Sequence, residues 1–186
     1  MKRFFDLTLV AVSLPLLLLP GVVISLIIIL TSEGPAIHWS DRVGRNKSIF
    51  KMPKYRTMSI NTPQKATHLL DNPDSFITPI GRLLRKTSLD ELPQIWSILK
   101  GEMSFVGPRP ALFNQEDLIQ LREQRGINTL VPGLTGWAQI NGRDELSIND
   151  KVELESEYFK KQSLLFDIVI IAKTTINALK SKEISH

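Results

Sequence analysis

From Leu7 to Leu30 the chain carries no charged side chain, whereas nearly all of its charges lie in residues 31–186. A continuous helix over that apolar stretch would be about 36 Å long, enough to match a bilayer core. The stretch is too long for the core of a signal peptide and no A-x-A pattern follows it, so it is expected to stay in the mature protein. Pro15, Pro20 and Gly21 stand near its middle, where proline removes a backbone donor and crowds the preceding turn. A bend there would leave two arms of about 18 Å, each too short to cross. Lys2 and Arg3 precede the segment, and Arg42, Arg45, Lys47, Lys51, Lys54 and Arg56 follow it. Positive charge on both flanks suits two ends on the cytoplasmic side. These residues leave two forms open, a helix that enters one leaflet and turns back and a single span.

Beyond residue 31 the hydrophobic period shortens and varies, as in a helix-dominated α+β domain with short strands. Ala36–Trp39 and Ser48–Met52 alternate enough to pair as a hairpin around a basic turn, Asp41–Lys47. Residues 60–79, with Pro63, Pro73 and Pro79, predict a long excursion with at most a short helix near Lys65–Leu70. Pro79-Ile80-Gly81 then introduces Arg82–Lys86. Ser88 and Glu91 have the spacing of a capping box, and Leu89, Leu92, Ile95, Trp96 and Leu99 form one helical stripe that closes at Lys100 and Gly101. A helix over 89–100 is predicted. Asn114 and Asp117 start another that ends before Gly126. Residues 149–161 predict a charged surface helix, and 164–179 a last helix in which Phe166, Ile168, Ile170 and Ile171 are too apolar for full exposure. That face suits the core, the membrane surface or a homodimer.

Composition narrows the chemistry. The 186 residues include no cysteine, which excludes a disulfide scaffold, a thiolate nucleophile and Cys-ligated zinc or iron–sulfur centres. The motifs G-x-S-x-G, H-E-x-x-H and G-x-x-x-x-G-K-[ST] are absent, and His38, His68 and His186 lack a common spacing, so each is expected to be an ordinary surface or packing residue. What remains is basic: Lys54-Tyr55-Arg56, Arg82 with Arg85-Lys86, Arg109 in Gly107-Pro108-Arg109-Pro110 and Arg143 in Asn141-Gly142-Arg143, set around the acidic pair Asp90-Glu91. Arginine forks and lysine point charges hold phosphate oxygens, and the N-terminus of the predicted helix at 89 adds free N–H groups for the same anion. Adjacent helical residues point about 100° apart, so Asp90 and Glu91 cannot face each other as a glycosidase pair. One can be a nucleophile and the other a metal ligand or cap. The same residues also suit plainer roles: Glu91 as a cap, the basic run 42–56 as a contact for anionic headgroups, Gly107–Pro110 as a rigid turn and Trp137 as core.

The whole ordered series is more specific than its parts. It runs through Lys2-Arg3-Phe4-Phe5-Asp6, Gly34-Pro35-Ala36, Lys54-Tyr55-Arg56-Thr57-Met58, Arg85-Lys86-Thr87-Ser88-Leu89-Asp90-Glu91-Leu92-Pro93-Gln94, Lys100-Gly101-Glu102-Met103-Ser104, Val106-Gly107-Pro108-Arg109-Pro110 and Pro132-Gly133-Leu134-Thr135-Gly136-Trp137-Ala138-Gln139. Over essentially its full length the chain resembles the monotopic phosphoglycosyl transferases, the bacterial sugar transferase family. That resemblance implies a re-entrant helix–break–helix anchor over 1–33 and a cytoplasmic catalytic domain over 34–186, at the cytoplasmic face of the bacterial inner membrane. It implies transfer of a sugar 1-phosphate from a UDP-sugar to undecaprenyl phosphate with release of UMP, the first membrane step of capsule, O-antigen or glycoprotein glycan assembly. Carried over residue by residue, it makes Asp90 the nucleophile, with Glu91 assisting it. Both would hold Mg2+. Lys54, Arg85 and Arg109 would steady the diphosphate, and Gln139 and Arg143 would line the donor pocket. The family often has Ser-Pro at the helix break, whereas Leu19-Pro20 stands here. No nucleic-acid partner is expected. Two other classes fit the basic patch: a membrane-anchored module that binds lipid headgroups, and a phosphatase of lipid diphosphates.

Overall fold

The structure, a computed structural model, describes residues 1–62, 73–142 and 146–183. The short helix expected near Lys65–Leu70 lies outside the described residues. The apolar N-terminal segment is one helix, α1 (Lys2–Thr31), with Pro15 and Pro20 inside it. The expected break is therefore no interruption of the helix: a proline bends a helix without ending it where packing on both sides holds the backbone. Val10 is buried with Phe50, Met52, Ile95, Ile98 and Met103. On the far side of the prolines, Ile24 and Ile28 are buried with Ala36, Tyr55 and Leu84.

Polar contacts fix α1 at both ends to the rest of the chain. Lys2 pairs with the buried Asp167, and Arg3 donates to the carbonyls of Ile98 and Leu99. The buried carboxylate of Asp6 accepts from Ser104 Oγ at 3.0 Å and Phe105 N at 3.2 Å. At the other end Arg56 donates to the carbonyls of Ser32, Glu33 and Gly34, holding the chain where it leaves the helix. Between these ends Tyr55 Oη donates to Gly21 O at 3.0 Å, beside Pro20. The outer face of α1, including Leu16, Leu19, Val22, Leu26 and Ile29, stays exposed.

The hairpin forms with longer arms than expected: β1 (Ile37–Val43) pairs antiparallel with β2 (Ile49–Tyr55), and β4 (Ala111–Leu112) extends the sheet from the other edge of β1. The residues at 41–43, expected in the turn, belong to β1. Two short parallel strands, β3 (Ser104–Val106) and β5 (Gly133–Thr135), make the second sheet. There Gly107 and Gly133 approach so closely that a Cβ on Gly133 would lie 2.1 Å from Gly107 N.

Helices surround these sheets: α2 (Gly81–Thr87), α3 (Ile95–Lys100), α4 (Glu116–Gln124), α5 (Trp137–Ile140), α6 (Ile148–Lys161) and α7 (Leu164–Glu183). The helix predicted over 89–100 divides, with a 3-10 turn over Leu89–Gln94 ahead of α3. Pro93 has no N–H for an α-helical bond, and Ser88 is left-handed at φ 56° because it also closes α2. An N-cap needs extended backbone, so the capping box does not form, and Ser88 makes no side-chain cap bond. Trp96, assigned to the apolar stripe, is exposed. Helix α7 divides its apolar residues, with Ile170 buried and Leu165, Ile168 and Ile176 exposed.

Candidate active site

Strand β2 carries Lys54 just before its last residue, Tyr55, and the 3-10 turn over Leu89–Gln94 packs against that strand. The turn presents both acids: Lys54 Nζ lies 2.7 Å from Glu91 Oε1 and 3.9 Å from Asp90 Oδ2. Arg109 reaches the same Glu91 oxygen from the loop ahead of β4, at 3.1 Å. Arg85, on α2, donates through Nε to Thr57 Oγ1 at 2.9 Å, and its charge acts on Asp90. Lys54 and Arg109 thus meet Glu91 directly, and Arg85 acts on Asp90 through its charge.

The two acids sit in unlike fields. Burial pushes Glu91 up, but Arg109 and Lys54 outweigh it and hold the carboxyl at about 2. Burial likewise pushes Asp90 up, and there Lys54 and Arg85 do not cancel the effect, which the Glu91 charge reinforces. Glu91 is an ionised counter-ion, while Asp90 keeps a more basic carboxylate.

Two further groups join this cluster from β1. His38 stands directly opposite Lys54 in the hairpin register, and Arg42 shares that strand face. Burial, then Arg42 and Lys54, lower the His38 imidazole, which holds it neutral. Arg42 donates to Ser40 Oγ at 3.1 Å and to Pro110 O at 3.3 Å, and the charges of Arg109 and Glu91 act on it. The sequence had set His38 aside and placed Arg42 among turn charges; the full length of β1, read by alternation, is the signal that brings both to the site. Four arginine and lysine side chains around two carboxylates leave the cluster positive, as a diphosphate requires.

Gln139 is bonded within the protein. Its Nε2 donates to Leu134 O at 3.0 Å, and its Oε1 is buried among protein atoms without a hydrogen bond. Arg143 lies outside the described residues. Among the described residues no three His, Asp or Glu side chains gather as a metal cage. Asp90 and Glu91 nevertheless fit a magnesium ion, which is commonly held by one or two carboxylates together with substrate phosphates. A hollow of about 30 Å³ lined by Val43, Pro108 and Ile127 includes neither acid. Asp90 and Glu91 lie outside it, with side chains 13% and 17% exposed.

A family model described as bacterial sugar transferase matches residues 1–181. The UDP-galactose-lipid carrier transferase of Erwinia amylovora is 37% identical over 97% of this chain and 40% of its own length. The UDP-glucose:undecaprenyl-phosphate glucose-1-phosphate transferase of Escherichia coli is 39% identical over 98% of this chain and 41% of its own length. An uncharacterized sugar transferase of Bacillus subtilis, EpsL, is 37% identical over 100% of this chain and 91% of its own length. The chain thus spans about two fifths of the first two relatives and most of the third.

Proposed function

The chain belongs to the bacterial sugar transferase family, and from that premise we propose that it moves a sugar 1-phosphate from a UDP-sugar to undecaprenyl phosphate, releasing UMP. The observation that carries this reading is the acid pair Asp90–Glu91 ringed by Lys54, Arg85, Arg109 and Arg42. In the first displacement an Asp90 carboxylate oxygen attacks the sugar-proximal phosphorus, the phosphoanhydride bond breaks, and UMP leaves with the bridging oxygen. In the second, a phosphate oxygen of the polyprenol attacks the same phosphorus, the acyl phosphate bond breaks, and the Asp90 carboxylate is restored. One anhydride is exchanged for another, so positioning and charge neutralisation suffice without an added energy source.

Lys54 and Arg109 hold the donor diphosphate while fixing Glu91, and Arg85 neutralises charge near Asp90. Asp90 and Glu91, with the diphosphate, would hold a magnesium ion, which would supply further charge neutralisation. Residues 1–33 are the membrane anchor and 34–186 the catalytic domain. Both ends of α1 bond to that one domain, which supports an anchor entering and leaving on the same, cytoplasmic, face of the inner membrane. The names of the relatives support the lipid acceptor.

The test is UMP release from a panel of UDP-sugars by nanodisc-held protein with magnesium, with and without undecaprenyl phosphate, beside Asp90→Asn. Release that requires lipid, metal and Asp90 is expected. Release without lipid would favour a diphosphate hydrolase. Binding of anionic headgroups with no turnover, unaffected by Asp90→Asn, would favour the headgroup-binding module.

A further inference from the structure

Arg109 is flanked by prolines, which shapes the backbone that carries it. Pro108 and Pro110 offer no N–H and have a fixed φ, and a residue before proline is confined to extended backbone. The loop's carbonyls still need donors, and three successive ones find them on three different elements. Pro108 O accepts from Gly133 N of β5 at 2.9 Å. Arg109 O accepts from Arg122 Nη2 of α4 at 2.9 Å, and Pro110 O from Arg42 Nη1 of β1 at 3.3 Å.

The middle clamp is built unlike an ordinary surface contact. Arg122 is 8% exposed and Glu155, on α6, is 2% exposed. Their side chains meet as a fork, with Nε to Oε2 at 2.8 Å and Nη2 to Oε1 at 2.5 Å. A buried ion pair is often replaceable by apolar residues without loss of stability, so stability alone gives little reason for this one. An apolar replacement could not donate to the Arg109 carbonyl. On its other side, Arg109 turns its guanidinium to Glu91, which in turn holds Lys54. The hydrogen bonds described for Arg122 go to Glu155 and to the Arg109 carbonyl, and none goes to the acids or to Lys54.

We propose that Arg122, oriented by the buried carboxylate of Glu155, is a positioning residue that sets Arg109, and through it Glu91, at the donor-phosphate site. The proposal rests on the reading of Arg109 as a diphosphate ligand. A lysine in place of Arg122 keeps the charge but cannot span both carboxylate oxygens and the carbonyl from one rigid plane.

Full-length protein in nanodiscs, assayed by UMP release, tests this through Arg122→Lys in two backgrounds. In the native background kcat/KM for the UDP-sugar is expected to fall about 10- to 100-fold, the scale of a misplaced binding group. In the Arg109→Ala background the same change is expected to cost less than about twofold, because the path through Arg109 is already cut. Equal losses in both backgrounds, or no loss in the native one, overturn the proposal. Should Arg122→Lys fail to fold, Arg122→Met with Glu155→Leu fills the same space without the carbonyl donor and is expected to behave alike. Amide hydrogen exchange at Arg109 and Ala111 supplies a readout that needs no substrate. Faster exchange in folded variants is expected; unchanged exchange overturns the clamp. If wild-type protein released no UMP from any donor, the transferase reading would fall, and the exchange result would still decide whether Arg122 holds the loop.

Discussion

Asp90 and Glu91 are neighbours in the chain, yet their surroundings give them different work. Glu91 is neutralised by Lys54 and Arg109 and held at about 2. Its folded pKa lies below its ordinary 4.5, so its ionised form stabilises the fold above about pH 4.5 and that contribution is lost as pH falls towards 2. Glu91→Gln should therefore flatten the acid-unfolding curve in that window, measured by circular dichroism. For Asp90 the shift is upward, so the acid limb of a kcat/KM profile should lie above the ordinary aspartate value of 3.8. In Glu91→Gln that limb should move down, because a negative charge beside Asp90 has been removed. Asp90→Asn should cost about 10⁴-fold or more in UMP release while binding of UDP-sugar persists, the scale of losing a covalent nucleophile. Asp90, Glu91, Lys54, Arg85 and Arg109 were legible in the sequence because each stands in a short motif dense with Gly, Pro or charge. His38 and Arg42 were not, because only the register of the hairpin sets His38 opposite Lys54 and only the full length of β1 puts Arg42 on the same face. Gln139 stands in an equally dense motif, and there the motif says nothing of direction: its amide faces Leu134.

Among the elements, the division of the predicted 89–100 helix shows where local signals compete. Ser88, Glu91, Lys100 and Gly101 are proper end signals, and the C-terminal pair works as expected: Gly101 is left-handed at φ 83°. The N-terminal pair is overruled because one residue must both close α2 and open the next turn, and Pro93 withholds a donor. Glu91 is thereby released from capping and turned to Lys54 and Arg109. A non-glycine residue in the left-handed region costs about 1 kcal/mol, so Ser88→Gly should raise stability by up to about that amount in urea denaturation. At the pairing of β3 with β5 the opposite holds. Gly133→Ala would drive a methyl into the Gly107 backbone, which cannot swing aside as a side chain can. A loss of about 1–3 kcal/mol is expected, with disturbance of the adjoining Arg109 loop.

For the molecule as a whole, apolarity announced α1, while its lie against the domain depended on contacts remote in sequence: Lys2 with Asp167, Asp6 with Ser104 and Arg56 with Ser32. No pattern within residues 1–33 encodes those partners. Since the chain has no cysteine, one inserted after Met1 and another at Glu33 can each be labelled without background. Labelling of both by a membrane-impermeant maleimide from the cytoplasmic side only is expected; opposite sidedness would establish a single span. At the end of β2, three consecutive residues divide their duties: Lys54 meets Glu91, Tyr55 meets Gly21 and Arg56 holds the chain just past α1. Strand residues advance about 3.3 Å each, so the attachment to α1 and the phosphate site are no more than two such steps apart. In a protein anchored through α1, the depth of the helix and the height of Asp90 above the acyl chains become a single setting. Under the proposed transfer, a lipid phosphate, whose own height is fixed by its headgroup layer, would meet the carboxylate without either having to search for the other along the membrane normal.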